Sequence, residues 1–159
     1  MLFELGRVCL VKYNMKKSSS KSKVKFIYCN VFKRGVSVFI GKCNDLRKWA
    51  KKAYDLPQEQ DMIDDINYLC NDENYSNNNL SARCYYSKCG ECIVHIPEFS
   101  FEYDIIKMCN LAHEILHATH ILLDTVGVEY IKDGTNETFT YVFEYMLRGA
   151  LDKEGYVNV

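Results

Sequence analysis

The chain has 159 residues, 48% of them hydrophobic, and this length and composition predict one domain with a sizeable core. Its 20 lysines and arginines nearly balance its 21 acids, and the formal charge of −1 provides no general positive field for nucleic acid. With no signal peptide and no run of about 18 apolar residues for a membrane helix, we expect a soluble, cytoplasmic protein that does not bind membranes.

The first elements along the chain are predicted to be strands. Val, Ile, Phe and Tyr are frequent over residues 3–11, 23–32 and 36–40, and these residue types favour strands. A polar, basic loop over 14–21 separates the first two strands, and a tight turn at 33–35 joins the last two. The sequence therefore predicts a small sheet that contains at least one hairpin.

Two helices are predicted next. Asn44 or Asp45 is expected to cap the first helix, whose apolar side includes the single tryptophan, Trp49, as a core anchor. Pro57 ends or restarts this helix, because proline lacks the N–H that a helix interior needs. The residues over 58–69 then have apolar side chains at helical spacing, which predicts a second, acidic amphipathic helix.

A second hairpin is predicted from strands over 82–87 and 92–96. The chain has eight cysteines, and without an export signal we expect free thiols. Three of them lie near this hairpin, and C-x-x-C is half of a structural zinc site: Cys84, Cys89 and Cys92. The second half is missing at any recognisable spacing, so a second metal site is the less favoured interpretation.

A long helix is predicted from a cap at Ser100 to Gly127, and it contains the sequence L-A-H-E-I-L-H-A-T-H. On a helix, His113 and His117 lie four residues apart on one face, within reach of a single ion. Glu114 is turned by about 100° around the helix axis from His113, so its carboxylate can reach a water on that ion without binding the ion itself. Neutral imidazole suits Zn²⁺, and a catalytic zinc has three protein ligands and one open position. The motif therefore predicts a catalytic zinc site that needs one more protein ligand.

His120 extends the series of histidines on this helix and is a rival ligand. Seven residues span about 10 Å along a helix axis, too far for one tetrahedral ion to bind both His113 and His120. We therefore expect His120 to be either a neighbour of the site or a surface residue.

The last helix is predicted over residues 136–151. Its apolar stripe contains Phe139, Val142, Phe143, Met146 and Ala150. The opposite side contains Glu137, Tyr141, Glu144 and Arg148. Two interpretations of this polar side are open: a face that supplies a metal ligand, or a solvated face with an i,i+4 pair between Glu144 and Arg148.

An HExxH motif followed, twenty residues after its second histidine, by an Asn-Glu pair that opens a helix resembles the thermolysin-type gluzincins. The resemblance covers residues 92–150. It implies a zinc cofactor held by His113, His117 and Glu137, with Glu114 as the general base. Those peptidases have an aspartate four residues after the glutamate, where this chain has Tyr141. The short length, the strand G-E-C-I-V-H-I-P and the pattern E-x-x-x-Y-V-x-x-Y are also similar to small metallopeptidase-like proteins of bacteriophages and prophages.

The resemblance also implies how substrate is bound. The strand over 92–96 is expected at the sheet edge, where its backbone pairs with an extended peptide. His95 on this strand is a candidate for substrate contact, with a half-exposed histidine as the alternative, and His120 is a second candidate. Tyr141 is the candidate for hydrogen-bonding either a zinc ligand or the oxyanion, and Glu144 is the alternative third ligand.

Together these features predict a single α+β, zincin-like domain over 1–159. Residues 1–91 form sheet, hairpins and two helices, and 92–151 form the edge strand, the motif helix and the third-ligand helix. The predicted function is zinc-dependent peptide-bond hydrolysis, with a peptide or protein as substrate. The alternatives are a catalytically silent zinc-containing module that binds a protein, such as a phage factor acting on a host protein, and a metal-free interaction domain. No motif indicates substrate preference or oligomeric state.

Overall fold

The computed structural model describes residues 22–71, 82–97, 105–131 and 136–159. Within these ranges the fold is α+β, as predicted. The strands are β1 (Lys23–Cys29), β2 (Arg34–Ile40), β3 (Arg83–Tyr86), β4 (Cys92–Ile96) and β5 (Val157–Asn158). The helices are α1 (Cys43–Ala53), α2 (Gln60–Asn71), α3 (Ile105–Thr125) and α4 (Asn136–Leu151), and a 3-10 turn at Pro57–Glu59 precedes α2. The predicted strand over 3–11 and the predicted cap at Ser100 lie outside the described residues.

The five strands form one mixed sheet in the order β3-β4-β2-β1-β5. The pairs β1–β2, β1–β5 and β3–β4 are antiparallel, and β2–β4 is parallel, so the sheet is mainly antiparallel, as predicted. The expectation that the strand over 92–96 forms the sheet edge is wrong, because β4 pairs with a strand on each side. All five residues of β4 are buried, as is typical of an interior strand. Among the described strands, β3 is the one at the edge beside β4.

Helices cover both faces of the sheet because its strands alternate apolar residues between two cores. Val36 and Val38 of β2 pack into the core formed with α3 and α4, whereas Phe39 packs into the core formed with α1 and α2. Successive side chains of a strand point to opposite faces, which explains this division. Two helical layers therefore enclose the sheet.

The α1–α2 layer contains Trp49 as the predicted core anchor. Its ring lies 5.4 Å from that of Phe39, between centroids, and it is 8% exposed. The start of α1 differs from prediction: the helix begins at Cys43, after Lys42, without a side-chain cap. Asp45 instead accepts a hydrogen bond from the Ser22 hydroxyl at 2.7 Å, so the acid anchors the chain that precedes β1.

Packing fixes the rotation of α3 about its axis. Leu111, Ile115, Ala118 and Leu122 recur at helical spacing and are at most 1% exposed. Complete burial of a leucine or isoleucine side chain contributes about 1.5–3 kcal/mol, so this stripe holds α3 on the sheet. The opposite face, which contains His113 and His117, is consequently turned outward. None of the described helices is long and apolar enough to span a membrane.

The hairpin between β3 and β4 sets the direction of α3 relative to the sheet edge. Gly90, in the turn, has a φ of +86°, and a Cβ at this position would collide with the side chain of Thr125, the last residue of α3. Since α3 packs on β3 and β4 and ends at this turn, it runs in the same general direction as β3. The helix α3 therefore lies alongside β3.

Candidate metal centre

His113 and His117 face each other on the exposed side of α3, as the motif predicts. Their Nε2 atoms are 3.0 Å apart, and their rings are nearly perpendicular, at 82°. Two nitrogens bound to one tetrahedral zinc at about 2.0–2.1 Å lie about 3.3 Å apart. A slightly larger distance between the two Nε2 atoms would therefore suit a shared ion. The type and direction of these donors fit two ligands of zinc.

Glu114 and His117 line a cleft between α3 and the sheet edge. The cleft has a volume of about 280 Å³. Its lining residues are Arg83, Cys84 and Tyr86 of β3 and Glu114, His117 and Ile121 of α3. A hydrogen bond with Cys92 and burial raise the pKa of the Cys84 thiol, and the negative charge of Glu114 raises it further. Glu114 thus lies in the α3 wall of the cleft, together with His117 and across from Cys84 of β3.

Glu137 lies in the first turn of α4, with an exposed side chain. Among the described residues, no three His, Cys, Asp or Glu side chains lie close enough together to hold one metal ion. The structure therefore brings together the two histidines of the predicted ligand set, and it does not place the Glu137 carboxylate with them.

The polar side of α4 is exposed, and the opposite stripe is buried. Val142, Met146 and Ala150 pack into the core, as predicted. On the polar side, Arg148 Nε and Glu144 Oε1 form an ion pair at 3.2 Å, and Tyr141 is 68% exposed and is not among the cleft-lining residues. This arrangement is the solvated face that the sequence left open as an alternative.

His120 contacts the start of α4. The centroid of its ring lies 4.2 Å from that of Phe139 and 6.5 Å from that of Tyr130, and the Phe139 and Tyr130 rings are 5.5 Å apart. Its side chain is exposed and is not among the cleft-lining residues, so His120 is a surface residue whose ring packs on the start of α4. Because His120 is one turn beyond His117, the aromatic cluster ties the first turn of α4, which includes Glu137, to the part of α3 just after the histidine pair.

His95 does not contact substrate, and the prediction that it does so is wrong. Its side chain is 0% exposed, which also excludes the half-exposed alternative. Its ring lies near those of Phe39 and Tyr85, on the α1–α2 side of the sheet, and its Nε2–H donates to the carbonyl of Gly41 at 2.8 Å. Burial lowers the pKa of His95 to about 4, although the bond to Gly41 opposes this shift. The sheet separates this histidine from α3.

The described cysteines are free thiols, as expected. Cys84 and Cys92 are hydrogen-bonded neighbours on β3 and β4. The Cys89 thiol instead lies 2.9 Å from the Ser87 hydroxyl and 3.9 Å from the carbonyl of Gln58. The two cysteines of the C-x-x-C sequence thus have different neighbours, and within the described ranges they form no metal site.

Sequence reasoning did not identify the β3 wall of the cleft. Arg83 and Tyr86 were predicted only as members of a strand. Four of the five residues of β4 are apolar, which is the pattern of a strand that is buried on both faces.

The features that lie together are the histidine pair, Glu114 and an edge strand across a cleft. Comparison with protein-family models, with curated proteins and with solved structures finds no match. A function for the site must therefore be argued from these residues and their geometry.

Proposed function

We propose that the chain is a zincin-like, zinc-dependent metallopeptidase. The observation that carries this proposal is the approach of His113 Nε2 to His117 Nε2 at 3.0 Å, directly beside Glu114 at a cleft. Two convergent imidazoles and an adjacent carboxylate are the groups that metal-assisted hydrolysis requires. The free thiols of the described cysteines are in keeping with action in the cytoplasm.

In this proposal His113 and His117 hold the ion, and Glu137 supplies the third ligand from α4. A bound zinc contributes a Lewis acid that polarises a carbonyl and acidifies water. Glu114 accepts a proton from the attacking water and delivers it to the leaving amine, as a general base and then a general acid. Its place in the cleft lining, beside His117, supports this role.

The Glu137 ligand requires the first turn of α4 to approach the histidine pair. The contact between His120 and Phe139 supports this step, because it holds that turn against α3 one helical turn beyond His117. Tyr141 lies one turn after Glu137 on the same side of α4, and an approach by Glu137 would bring its hydroxyl with it. Tyr141 is therefore the proposed donor to the oxyanion.

The proposed substrate is an extended peptide that lies along β3. The cleft of about 280 Å³ beside this strand gives such a chain a place to lie. The cleft lies between this strand and α3, so a peptide on β3 would have its backbone near Glu114.

The substitution Glu114→Gln tests the proposal. It preserves size and hydrogen bonding but removes the base, so hydrolysis of a casein or fluorogenic peptide mixture should fall by at least about 1,000-fold, near the effect of losing a catalytic acid–base group. Zinc content and thermal unfolding should stay at wild-type values. His113→Ala is the matched control, because it should lose both zinc and hydrolysis.

The second candidate function is a zinc-containing module that binds a protein without hydrolysis. The observation that favours it is the polar side of α4, which is exposed and has a Glu144–Arg148 pair, while no carboxylate of the described residues joins the histidine pair. Such a module would hold one zinc per chain, hydrolyse no peptide and be indifferent to Glu114→Gln. A metal-free domain would instead contain far less than one zinc per chain and would take up none when Zn²⁺ is added.

A further inference from the structure

Two thiols lie together where the start of α1 meets the end of α2. The Sγ of Cys70, next to last in α2, donates to the carbonyl of Cys43, the first residue of α1, at 3.5 Å, and the two thiols are hydrogen-bonded neighbours. Beside them, Arg47 Nη1 donates to Asn71 Oδ1 at 2.7 Å, so a second contact holds the same helix ends together. The fold therefore brings two cysteines that are 27 positions apart in the sequence into contact.

The surroundings of the two sulfurs differ in a way that suits thiol–disulfide exchange. Cys43 is half-buried and lies at the N-terminus of α1, after Lys42 and one turn before Arg47. Helix N-termini and neighbouring cations favour the thiolate form of a cysteine. A hydrogen bond with Cys43 and burial raise the pKa of the Cys70 thiol, and the charge of Arg47 opposes them. Cys43 is therefore the thiol that meets a small molecule, and Cys70 is the buried partner behind it.

A second hydrogen-bonded pair of thiols lacks the geometry for a disulfide. Cys84 and Cys92 lie on neighbouring antiparallel strands, but Cys84 is opposite Val94 and Cys92 is opposite Tyr86. Residues in this diagonal relation lie about 7–8 Å apart, beyond the Cα separation that a disulfide spans without movement of the backbone. The chain thus contains one pair that can be crosslinked and one that serves as its comparison.

We propose that Cys43 and Cys70 form a reversible disulfide by exchange with a small-molecule disulfide of the glutathione class. The Cys43 thiolate attacks one sulfur of that molecule, whose S–S bond breaks to release one thiol, and a mixed disulfide forms on Cys43. The Cys70 sulfur, after loss of its proton, attacks the Cys43 sulfur and releases the second thiol. The protein loses two electrons and two protons, which reduce the small disulfide to two thiols. This site does not depend on the proposed peptidase.

Equilibration of the intact wild-type chain with mixtures of reduced and oxidised glutathione tests the pairing. Alkylation and peptide mass mapping without reduction should find a Cys43–Cys70 crosslink that dithiothreitol removes, while Cys84 and Cys92 are still alkylated as thiols. Because the crosslink closes a loop of 27 positions in the unfolded chain, it should raise the midpoint of thermal unfolding by about 7–14 °C.

Cys43→Ser and Cys70→Ala should each abolish this shift, and Cys70→Ala should stop the reaction at the mixed disulfide on Cys43. Cys84→Ser is the matched control from the other hydrogen-bonded pair and should keep the full shift. Since the mass map is read from the wild-type protein, it decides the pairing even where a variant fails to fold. No intramolecular disulfide at any glutathione ratio, a Cys84–Cys92 crosslink in place of the expected one, or an equal shift in the Cys43→Ser protein would overturn the inference.

Discussion

The histidines of this chain occupy two contrasting environments. His95 lies in the middle of the sheet, 0% exposed, with its Nε2–H bonded to Gly41. His113 and His117 lie on the outer side of α3, with their Nε2 atoms directed at each other beside a cleft. A buried imidazole with a carbonyl partner is a structural group, whereas a pair of exposed imidazoles directed at each other has the arrangement that the proposed metal ion would need.

The contrast separates what helix spacing determines from what the tertiary fold determines. Residues four apart on a helix are neighbours in any fold, so the His113–His117 pair follows from local geometry. The burial of His95 depends on β2, which pairs with β4 although many residues separate them in sequence. Substitution of His113 and His117 should therefore remove metal binding, whereas substitution of His95 should lower stability and leave metal binding unchanged.

The largest difference should appear when zinc is added. An ion that binds only the folded state stabilises it by about 4 kcal/mol at 1,000 times its dissociation constant. The free energy of unfolding of the wild-type protein in urea should rise by this amount. The double variant His113→Ala/His117→Ala should show no rise, because both imidazole ligands are missing.

His95→Gln is the comparison from the buried environment. Its unfolding free energy should be lower than that of wild type without metal, yet zinc should raise it by the same amount. A full zinc effect in the His113→Ala/His117→Ala protein would place the ion elsewhere and would end the assignment of this centre.

A decrease in pH should also distinguish the two environments, and its effect on the free energy of unfolding should be slightly smaller than that of added zinc. Burial lowers the pKa of His95 to about 4 in the folded protein, from the ordinary histidine value of 6.5. Between these values the unfolded chain binds a proton that the folded chain does not bind. The contribution of the neutral His95 side chain to the free energy of unfolding is therefore complete above about pH 6.5, and it is lost as the pH decreases towards 4. Since each pKa unit corresponds to about 1.4 kcal/mol, the loss from His95 should be about 3 kcal/mol.

Urea unfolding in EDTA at pH 7, 5.5 and 4 measures this loss without a contribution from bound metal. His95→Gln, whose amide can still donate to the Gly41 carbonyl, should flatten the dependence by about 3 kcal/mol. The His113→Ala/His117→Ala protein should keep the part of the dependence that comes from His95. An unchanged pH dependence in His95→Gln would mean that the buried imidazole is not the group that titrates.

The limits of sequence reasoning follow the same division. The helix α4 begins and ends where its periodicity predicts, at Asn136 and Leu151, because one apolar stripe faces a core along its whole length. The position of β4 inside the sheet was not predicted, because its parallel partner β2 lies on the other side of two helices in the sequence. Local periodicity contains no information about such a pairing.

The cleft was missed for the same reason. Arg83 and Glu114 line the same cleft because α3 packs beside β3, and this arrangement follows from the order of the strands. The expected ligand set shows both situations at once. The two histidines lie on one helix and are brought together locally, whereas the position of Glu137 depends on how α3 and α4 pack.

The smallest expected effect concerns Glu137, the proposed ligand whose position depends on how α3 and α4 pack. If Glu137 is the third ligand, Glu137→Gln should reduce zinc affinity by at least the roughly 10- to 100-fold that loss of a supporting partner of a ligand costs. This corresponds to about 1.4–2.8 kcal/mol. Glu144→Gln is the control on the same side of α4, since its carboxylate is engaged by Arg148 at 3.2 Å. Titration with zinc in competition with a chelator measures both affinities.

Cobalt adds a measurement that a loss of stability would not mimic. Replacement of zinc by Co²⁺ in the wild-type protein should give the visible absorption of a tetrahedral ion, and Glu137→Gln should change that spectrum while Glu144→Gln leaves it unchanged. The reverse result would make Glu144 the ligand and would require its separation from Arg148. If neither substitution changes affinity or spectrum, α4 contributes no ligand. The pair on α3 would then act as a two-histidine site without the protein ligand set of a catalytic zinc, which favours the silent binding module.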